Sequence, residues 1–294
     1  MSAQDGDLDQ STEPEAGGQG DDYETVEVGG VARRLEEELH EEFNTTVSEG
    51  EERLKRTHRG LVVTGLFGGI DVGLGIMAML AVMHATGSTL LSGLAFGIGL
   101  LALWLAHSEL FTEDFMLPVN AVLAGHGTAG QLFRLWSVTL VTNLAGGWAF
   151  MWLVVYAFPQ FHQHLVESAV GYVTAGFTME TVALALLAGS TITLMTRMNQ
   201  GASSDVMTAI ISFIGGFLVV GLEMHHGALS SVLIFGAMEA GAEITVGQWL
   251  GWFWWVTLLN MLGGLVIMTA PRIVRTWELV REECSRRLSE GRAH

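Results

Sequence analysis

Residues 223–231 read EMHHGALSS, an acid, two adjacent histidines and two serines between the apolar runs IISFIGGFLVVGL and VLIFGAM. A second polar island, HSELFTED at 107–114, interrupts another long apolar region. A neutral imidazole donates one hydrogen bond and accepts another, and a protonated one donates two. Its unperturbed pKa of about 6.5 lets the surroundings decide its charge. His225 and His226 are therefore candidates to hydrogen-bond a small solute or to pass it a proton. Thr112, in the other island, is a candidate to hold the histidine or the solute from the opposite side. Either histidine could instead be structural, bonded to carbonyls freed by a helix break.

The surroundings fix what kind of protein presents these groups. Half of the 294 residues are apolar and 15% are charged. Between Arg59 and Arg272 the only cations are Arg134 and Arg197. Several apolar stretches there reach about 20 residues, the length that crosses a bilayer. This pattern describes a polytopic membrane protein and excludes a soluble domain. The lone Cys284 excludes a disulfide framework.

The first 52 residues carry 17 acids against Arg33 and Arg34. Residues 1–30 read as an acidic disordered tail, and MSAQDGDLDQSTEPEAGGQGDD has no apolar core of the kind a signal peptide needs. Val31, Leu35, Leu39, Phe43 and Val47 then recur every four residues. That spacing suggests an amphipathic cytoplasmic helix over 31–57, with a solvated helical linker as the plainer alternative. One lysine against 13 arginines and 31 acids suggests a salt-adapted source. A net charge of −17 makes nucleic acid and anionic headgroups poor partners.

Six apolar regions follow: 61–83, 90–123, 135–158, 181–196, 206–238 and 249–270. The second and fifth are too long for one crossing, and each contains one of the polar islands. Each reads as two helical halves joined by a break, which survives at membrane depth only where it is buried in protein or lines a wet cavity. Arg53, Lys55, Arg56, Arg59, Arg134, Arg197, Arg272 and Arg275 fall in alternate connections. Six crossings with both ends cytoplasmic place all of them inside. The domain 58–272 is then the transmembrane channel or transporter, and 273–294 a cytoplasmic tail.

The two halves also look alike. QLFRLWSVTLVTNLAGG ends at Gly147 and QWLGWFWWVTLLNMLGG at Gly264, so Gln131, Asn143 and Gly146 recur 117 residues later as Gln248, Asn260 and Gly263. The same offset sets Glu109 opposite His226. Each copy holds three crossings, an odd number, so the copies insert in opposite senses, as inverted repeats of transporters and channels do. The expected fold is all-α, with six transmembrane helices in two inverted three-helix repeats and helices 2 and 5 broken. Opposed helix N-termini at the breaks would favour an anion.

Glu109, Leu110, Phe111 and Thr112 match the first-break motif GAELFTGN of the formate/nitrite transporter family, and LEMHHGALSSV is similar to its histidine-bearing second break. Over roughly residues 58–272 the chain resembles that family. The resemblance implies an aquaporin-like fold, a homopentamer with one pore per protomer, and passage of small monovalent anions or their neutral acids. It favours His226 as the pore histidine, with His225 still open. Leu110 and Phe111 on one side, and Leu222 and Leu229 on the other, are candidates for apolar constrictions that exclude hydrated ions. Glu109 and Glu223 are candidates to pin the two breaks by accepting backbone N–H groups.

The chain departs from the family in three places. The lysine that members often carry near the fourth span is absent, with Glu180 in that region. Gly189 and Ser190 stand where an asparagine is common. The first break continues TEDF, adding Glu113 and Asp114. These acids leave room for another substrate class. A divalent-metal transporter would use Glu223, His225 and His226 with His107 and Glu109. An intramembrane hydrolase would use Ser230 or Ser231 with a histidine base. No resident cofactor or metal is expected for the pore itself.

Overall fold

The computed structural model describes residues 20–290, so most of the acidic 1–30 segment lies outside the described residues, as do the Val31 and Leu35 side chains. Every regular element among the described residues is helical. The chain divides into two units between Glu42 and Phe43. Helix α1 (Gly20–Lys55) carries, in the first unit, exposed charges such as Arg33 and Glu37, which pair across one turn at 3.7 Å. All else described below belongs to the second unit.

Helix α2 (His58–Thr86) starts where the Thr57 hydroxyl accepts the Gly60 N–H at 3.1 Å, and ends at Gly87, whose φ of 65° places it in the left-handed region. Then α3 (Thr89–Leu105) stops short of a full crossing, giving way to an irregular stretch, a 3-10 turn at Phe111–Glu113 and the short α4 (Leu117–Leu123). Next come α5 (Ala129–Ala157), α6 (His162–Thr174), α7 (Met179–Gln200) and α8 (Asp205–Val219). A second irregular stretch leads to α9 (Gly227–Glu239). The chain closes with α10 (Val246–Leu262), α11 (Ala270–Arg275) and α12 (Trp277–Glu290). Between α10 and α11, residues Gly263–Thr269 widen into a π-helical turn just before Pro271, which has no N–H to continue the α ladder.

Four of these segments are long and apolar enough to cross a bilayer: α2, α5, α7 and the run Val246–Arg275. Helices α3, α8 and α9 are apolar but shorter. Both broken regions thus stand where the sequence places them. Two elements were not anticipated: α6 fills a connection read as a plain loop, and α12 orders part of the tail. Helix α2 packs on α3 and α5, α3 packs on α8, α7 packs on the α10–π run, and α9 lies against α5 and α6. Large apolar side chains such as Phe133, Trp152 and Tyr156 on α5, and Trp254 and Val266 further on, point outward. Such a surface suits lipid or another subunit and not water.

The repeated residues have matching jobs. Gln131 and Gln248 each complete a capping box, with Thr128 and with Thr245. Gly146 and Gly263 let backbones touch: a Cβ on either would collide with a carbonyl oxygen, that of Leu66 or of Leu186. Asn143 and Asn260 hold the two breaks, described next.

Candidate functional site

Two helices that stop at membrane depth leave N–H and C=O groups without intrahelical partners. In hydrocarbon each such group must find a partner inside the protein. One asparagine serves each break. Asn143 donates through Nδ2 to Gly65 O and Glu109 O, both at 2.8 Å, and accepts the Phe111 N–H at 2.9 Å. Asn260 donates to Ala185 O at 2.8 Å and His225 O at 2.9 Å, and accepts the Gly227 N–H at 2.8 Å. The pattern is the same in both copies. It corrects the register: Glu109 corresponds to His225, not to His226. The breaks themselves repeat at an offset of 116, because one residue more separates the second break from its asparagine: Gly227 precedes Asn260 by 33 positions, whereas Phe111 precedes Asn143 by 32. The backbone agrees, since the two non-glycine residues with positive φ among the described residues, His107 at 55° and Glu223 at 52°, are also 116 apart.

The asparagines displace Glu109 and Glu223 from the role expected of them. The Glu109 carboxylate, fully buried, instead meets Arg56 and lies 3.0 Å from Arg53. Arg53 also reaches Asp114 at 2.9 Å. Glu113 accepts from the indole N–H of Trp104. Both arginines come from the last turn of α1 and its exit, so the acids of the first break are turned towards cations and an indole donor. A buried carboxylate without such partners would be costly. Glu223 lies on the second break and makes no hydrogen bond that pins it. Asp71 of α2 is buried.

His226 sits between the breaks. It is buried, and it is the N-cap residue of α9: Nδ1 accepts the Leu229 N–H at 3.2 Å. The other ring nitrogen, Nε2, stands 3.1 Å from the Thr112 hydroxyl. The first bond settles the neutral tautomer. With Nδ1 occupied as acceptor, the ring proton is on Nε2 and is donated to Thr112. The Thr112 hydroxyl proton is then free for a further acceptor.

His225 points elsewhere. Its Nδ1 accepts from Trp252 Nε1 at 3.3 Å, and Tyr172 approaches its ring edge-on at 5.2 Å between centroids. It lines a cavity of about 270 Å³ shared with α6 and Glu223. The structure therefore separates two neighbours that the sequence left interchangeable.

Among the proposed constriction residues, Leu110, Phe111 and Leu229 are buried near the Thr112–His226 pair. Phe111 also stacks edge-on against Phe115, 5.0 Å between centroids. Leu222 is the exception. It precedes the positive-φ turn at Glu223 and is 47% exposed, so it does not join this apolar group.

The metal reading needs several ligands in one place. Among the described residues no group of three or more His, Cys, Asp and Glu side chains gathers to hold an ion. His107 is exposed, while Glu109 is buried against arginines. The hydrolase reading needs a serine beside a histidine. Ser231 instead donates to Gly227 O and accepts from Trp249 Nε1.

Buried paired breaks, a capping histidine and a mostly apolar helical body are features of a membrane pore, and comparison with known proteins agrees. Residues 40–274 match the family model of the formate/nitrite transporters, and the chain belongs to that family. It is a multi-pass membrane protein. The chain is 25% identical over 239 residues to the inner membrane protein YfdC of Escherichia coli (strain K12), covering 77% of this chain and 73% of that one. Among solved structures it is similar to an FNT family ion channel, with a TM-score of 0.72, 20% identity, and 80% and 99% of the two chains covered. It is also similar to a pentameric formate channel with formate bound, with a TM-score of 0.62, 17% identity, and 76% and 97% covered.

Proposed function

We propose that this protein is a channel or transporter for small monovalent weak acids of the formate or nitrite class, with His226 and Thr112 at the centre of its pore. The observation that carries this reading is the buried Thr112–His226 pair, held between two breaks that Asn143 and Asn260 fasten in the same way. Leu110, Phe111 and Leu229 form the dry collar beside it, where stripping water from an ion is expensive.

The chemistry follows from the tautomer. A solute oxygen entering the centre meets the free Thr112 O–H as donor, while Nε2–H of His226 keeps the hydroxyl oriented. To donate a proton outright, His226 would first have to be an imidazolium. That state puts a proton on Nδ1 and breaks the Leu229 cap. It also places a cation at the positive end of α9, which is unfavourable. His226 therefore works as a neutral hydrogen-bonding hub, and a proton that crosses does so on the solute.

Six crossings in two inverted repeats, a homopentameric assembly and both termini in the cytoplasm complete the proposal. Four long apolar helices and two broken pairs support the crossings. The arginine pattern supports the orientation, and the similarity to a pentameric formate channel supports the assembly. Cysteines placed at 160–175 and 239–247 should label from outside, and those at 126–134 and 197–205 should not; the reverse result defeats the topology. Native mass spectrometry of the purified protein reads the subunit number.

The decisive test follows formate entry into liposomes with an internal pH dye. His226→Asn keeps an N-cap acceptor for Leu229 but is too short to reach Thr112. The wild type should acidify the lumen, and the Asn variant should do so about tenfold more slowly, since losing a hydrogen bond at the barrier costs about 1 kcal/mol or more. Unchanged flux in His226→Asn alongside a loss in His225→Asn would move the centre to His225.

A further inference from the structure

The cavity beside His225 lies at the far end of α2 from Arg56 and Arg59: it is walled by the last turns of α2, the first turn of α3, α6, and the second break. Its polar lining is Thr89 and Ser92 of α3, His164, Glu167, Ser168 and Tyr172 of α6, and Glu223 and His225 of the second break. It has no lysine or arginine. The two arginines in the middle of the chain lie elsewhere: Arg134 bonds Leu54 O and Arg56 O at the opposite end of α5, and Arg197 is in the last turn of α7. Among the described residues that line it, only the histidines could carry a positive charge beside Glu167 and Glu223, and Gln163 donates to the Glu167 carboxylate at 2.8 Å.

We infer that this cavity is a binding site for the uncharged, protonated form of a weak acid, and that it selects against the free anion before the central pair is reached. This rests on the weak-acid reading given above and adds which form of the solute enters.

The geometry fits a protonated acid. His225 is 95% buried, since only 5% of it is exposed, yet it faces the cavity. With Nδ1 taken by the Trp252 indole, its ring proton is on Nε2, which has no hydrogen-bond partner among the described residues. That N–H can donate to a solute C=O. Glu167 and Glu223 can accept a solute O–H, and the Ser168 hydroxyl can do either. A neutral carboxylic acid offers one donor and one acceptor and satisfies both kinds of group. A carboxylate has no donor, and it would meet two like charges at close range, which is repulsive. The remaining titratable groups around the cavity are His164 and Tyr172 of α6, together with His84 of α2, whose ring lies 5.9 Å from that of His164. Helices α3 and α7 contribute only Thr89, Ser92 and Leu184, and α10 contributes Trp252 and Trp255 against His225. The side chain of His225 thus reads the solute at the mouth, and that of His226, one residue on, reads it at the centre.

The experiment uses the full chain in liposomes and planar bilayers, with formate as probe. In the wild type, flux should fall about tenfold per pH unit above the pKa of formic acid, following the neutral fraction, and a formate gradient should carry no current. Glu167→Lys with Glu223→Lys should raise flux at pH 7 at least tenfold, flatten the pH profile and admit a formate current. Glu167→Gln with Glu223→Gln, nearly isosteric, guards against misfolding and should shift the profile in the same direction by a smaller amount. Wild-type flux that follows the anion with a current overturns the inference while leaving the weak-acid reading in place. So does a pH profile untouched by either pair of substitutions. Methylammonium conduction that the Gln pair abolishes overturns it in favour of a cation site. A wild type that moves no weak acid removes the underlying reading and the inference with it.

Discussion

Nε2 of His226 stands 3.1 Å from Oγ1 of Thr112, although 114 positions separate the two residues. The contact exists because each break is fastened to the span that follows it. Asn143 sets the carbonyl of Glu109 and the N–H of Phe111, and Thr112 comes next. Asn260 sets the carbonyl of His225 and the N–H of Gly227, with His226 between them. The pair is thus fixed by backbone placement on both sides.

Replacing Thr112 should separate orientation from bulk. Thr112→Val is nearly isosteric and removes the hydroxyl. It should cut formate flux about tenfold, because a buried N–H of His226 loses its acceptor at a cost of about 1–3 kcal/mol. Thr112→Ser keeps the hydroxyl and should stay within about threefold of wild type by the same reasoning. Equal losses in both variants, read from the pH-dye assay, would mean that the methyl matters and the hydroxyl does not.

The asparagines should matter for stability before they matter for transport. Asn143→Ala or Asn260→Ala strips three hydrogen bonds from buried backbone groups. Each should lower unfolding stability by about 3 kcal/mol or more, since unsatisfied buried groups cost about 1–3 kcal/mol each. Gln131→Ala, in an exposed capping box, should cost only about 1 kcal/mol. Thermal denaturation of the detergent-purified protein reads the difference, and a similar loss at all three sites would contradict it.

Much of this was legible in the chain. The two breaks show as polar islands in apolar regions too long for one crossing, and the paired Gln, Asn and Gly show as a repeat at 117. What the repeat could not reveal was the extra residue between break and asparagine in the second copy. That single insertion set Glu109 against His226 in the linear comparison, whereas the hydrogen bonds set it against His225. Asn143 and Asn260 were visible as markers, but their role was not, because their partners are backbone atoms. The two signals that could have shown it were an amide in each copy at the same place and two breaks with orphan groups to satisfy. The arginines were hidden differently. Arg53 and Arg56 precede the first span and read as orientation charges, and only the folded chain brings them onto Glu109 and Asp114. Leu222 looked equivalent to Leu229 by hydropathy, and the positive φ at Glu223 sends it outward.

Arg53 should be among the most sensitive residues outside the pore. Its side chain is 18% exposed, and it faces Glu109 and Asp114, which are buried. Arg53→Gln leaves those carboxylates short of a cation and should cost about 3–5 kcal/mol, the penalty for removing one partner of a buried pair. Adding Asp114→Asn to Arg53→Gln should recover part of the loss. A double variant no more stable than the single would show that the pair does not act as a unit.

The last prediction concerns acid. His126, at the turn after α4, lies 2.8 Å from Glu51 of α1 and 2.6 Å from Glu283 of α12. Arg286 holds the Glu283 carboxyl down to about 2, with His126 adding to the effect, and Lys55 followed by His126 holds Glu51 below its usual value. A carboxyl whose folded value is depressed stabilises the fold fully above its ordinary value, and that stability is lost as pH falls towards the folded value. The attachment of α12 to residues 43–55 and to His126 should therefore be complete at neutral pH. It should weaken from about pH 4.5, the ordinary value for these groups, downward to about 2. Deuterium exchange, corrected for the intrinsic rate at each pH, should show residues 277–290 losing protection through that window while α2 and α5 keep theirs. Glu283→Gln removes the group that titrates and should give α12 a lower protection at neutral pH that changes much less on acidification. Protection of α12 that stays constant from pH 7 down to pH 3 in the wild type would show that this cluster does not hold it.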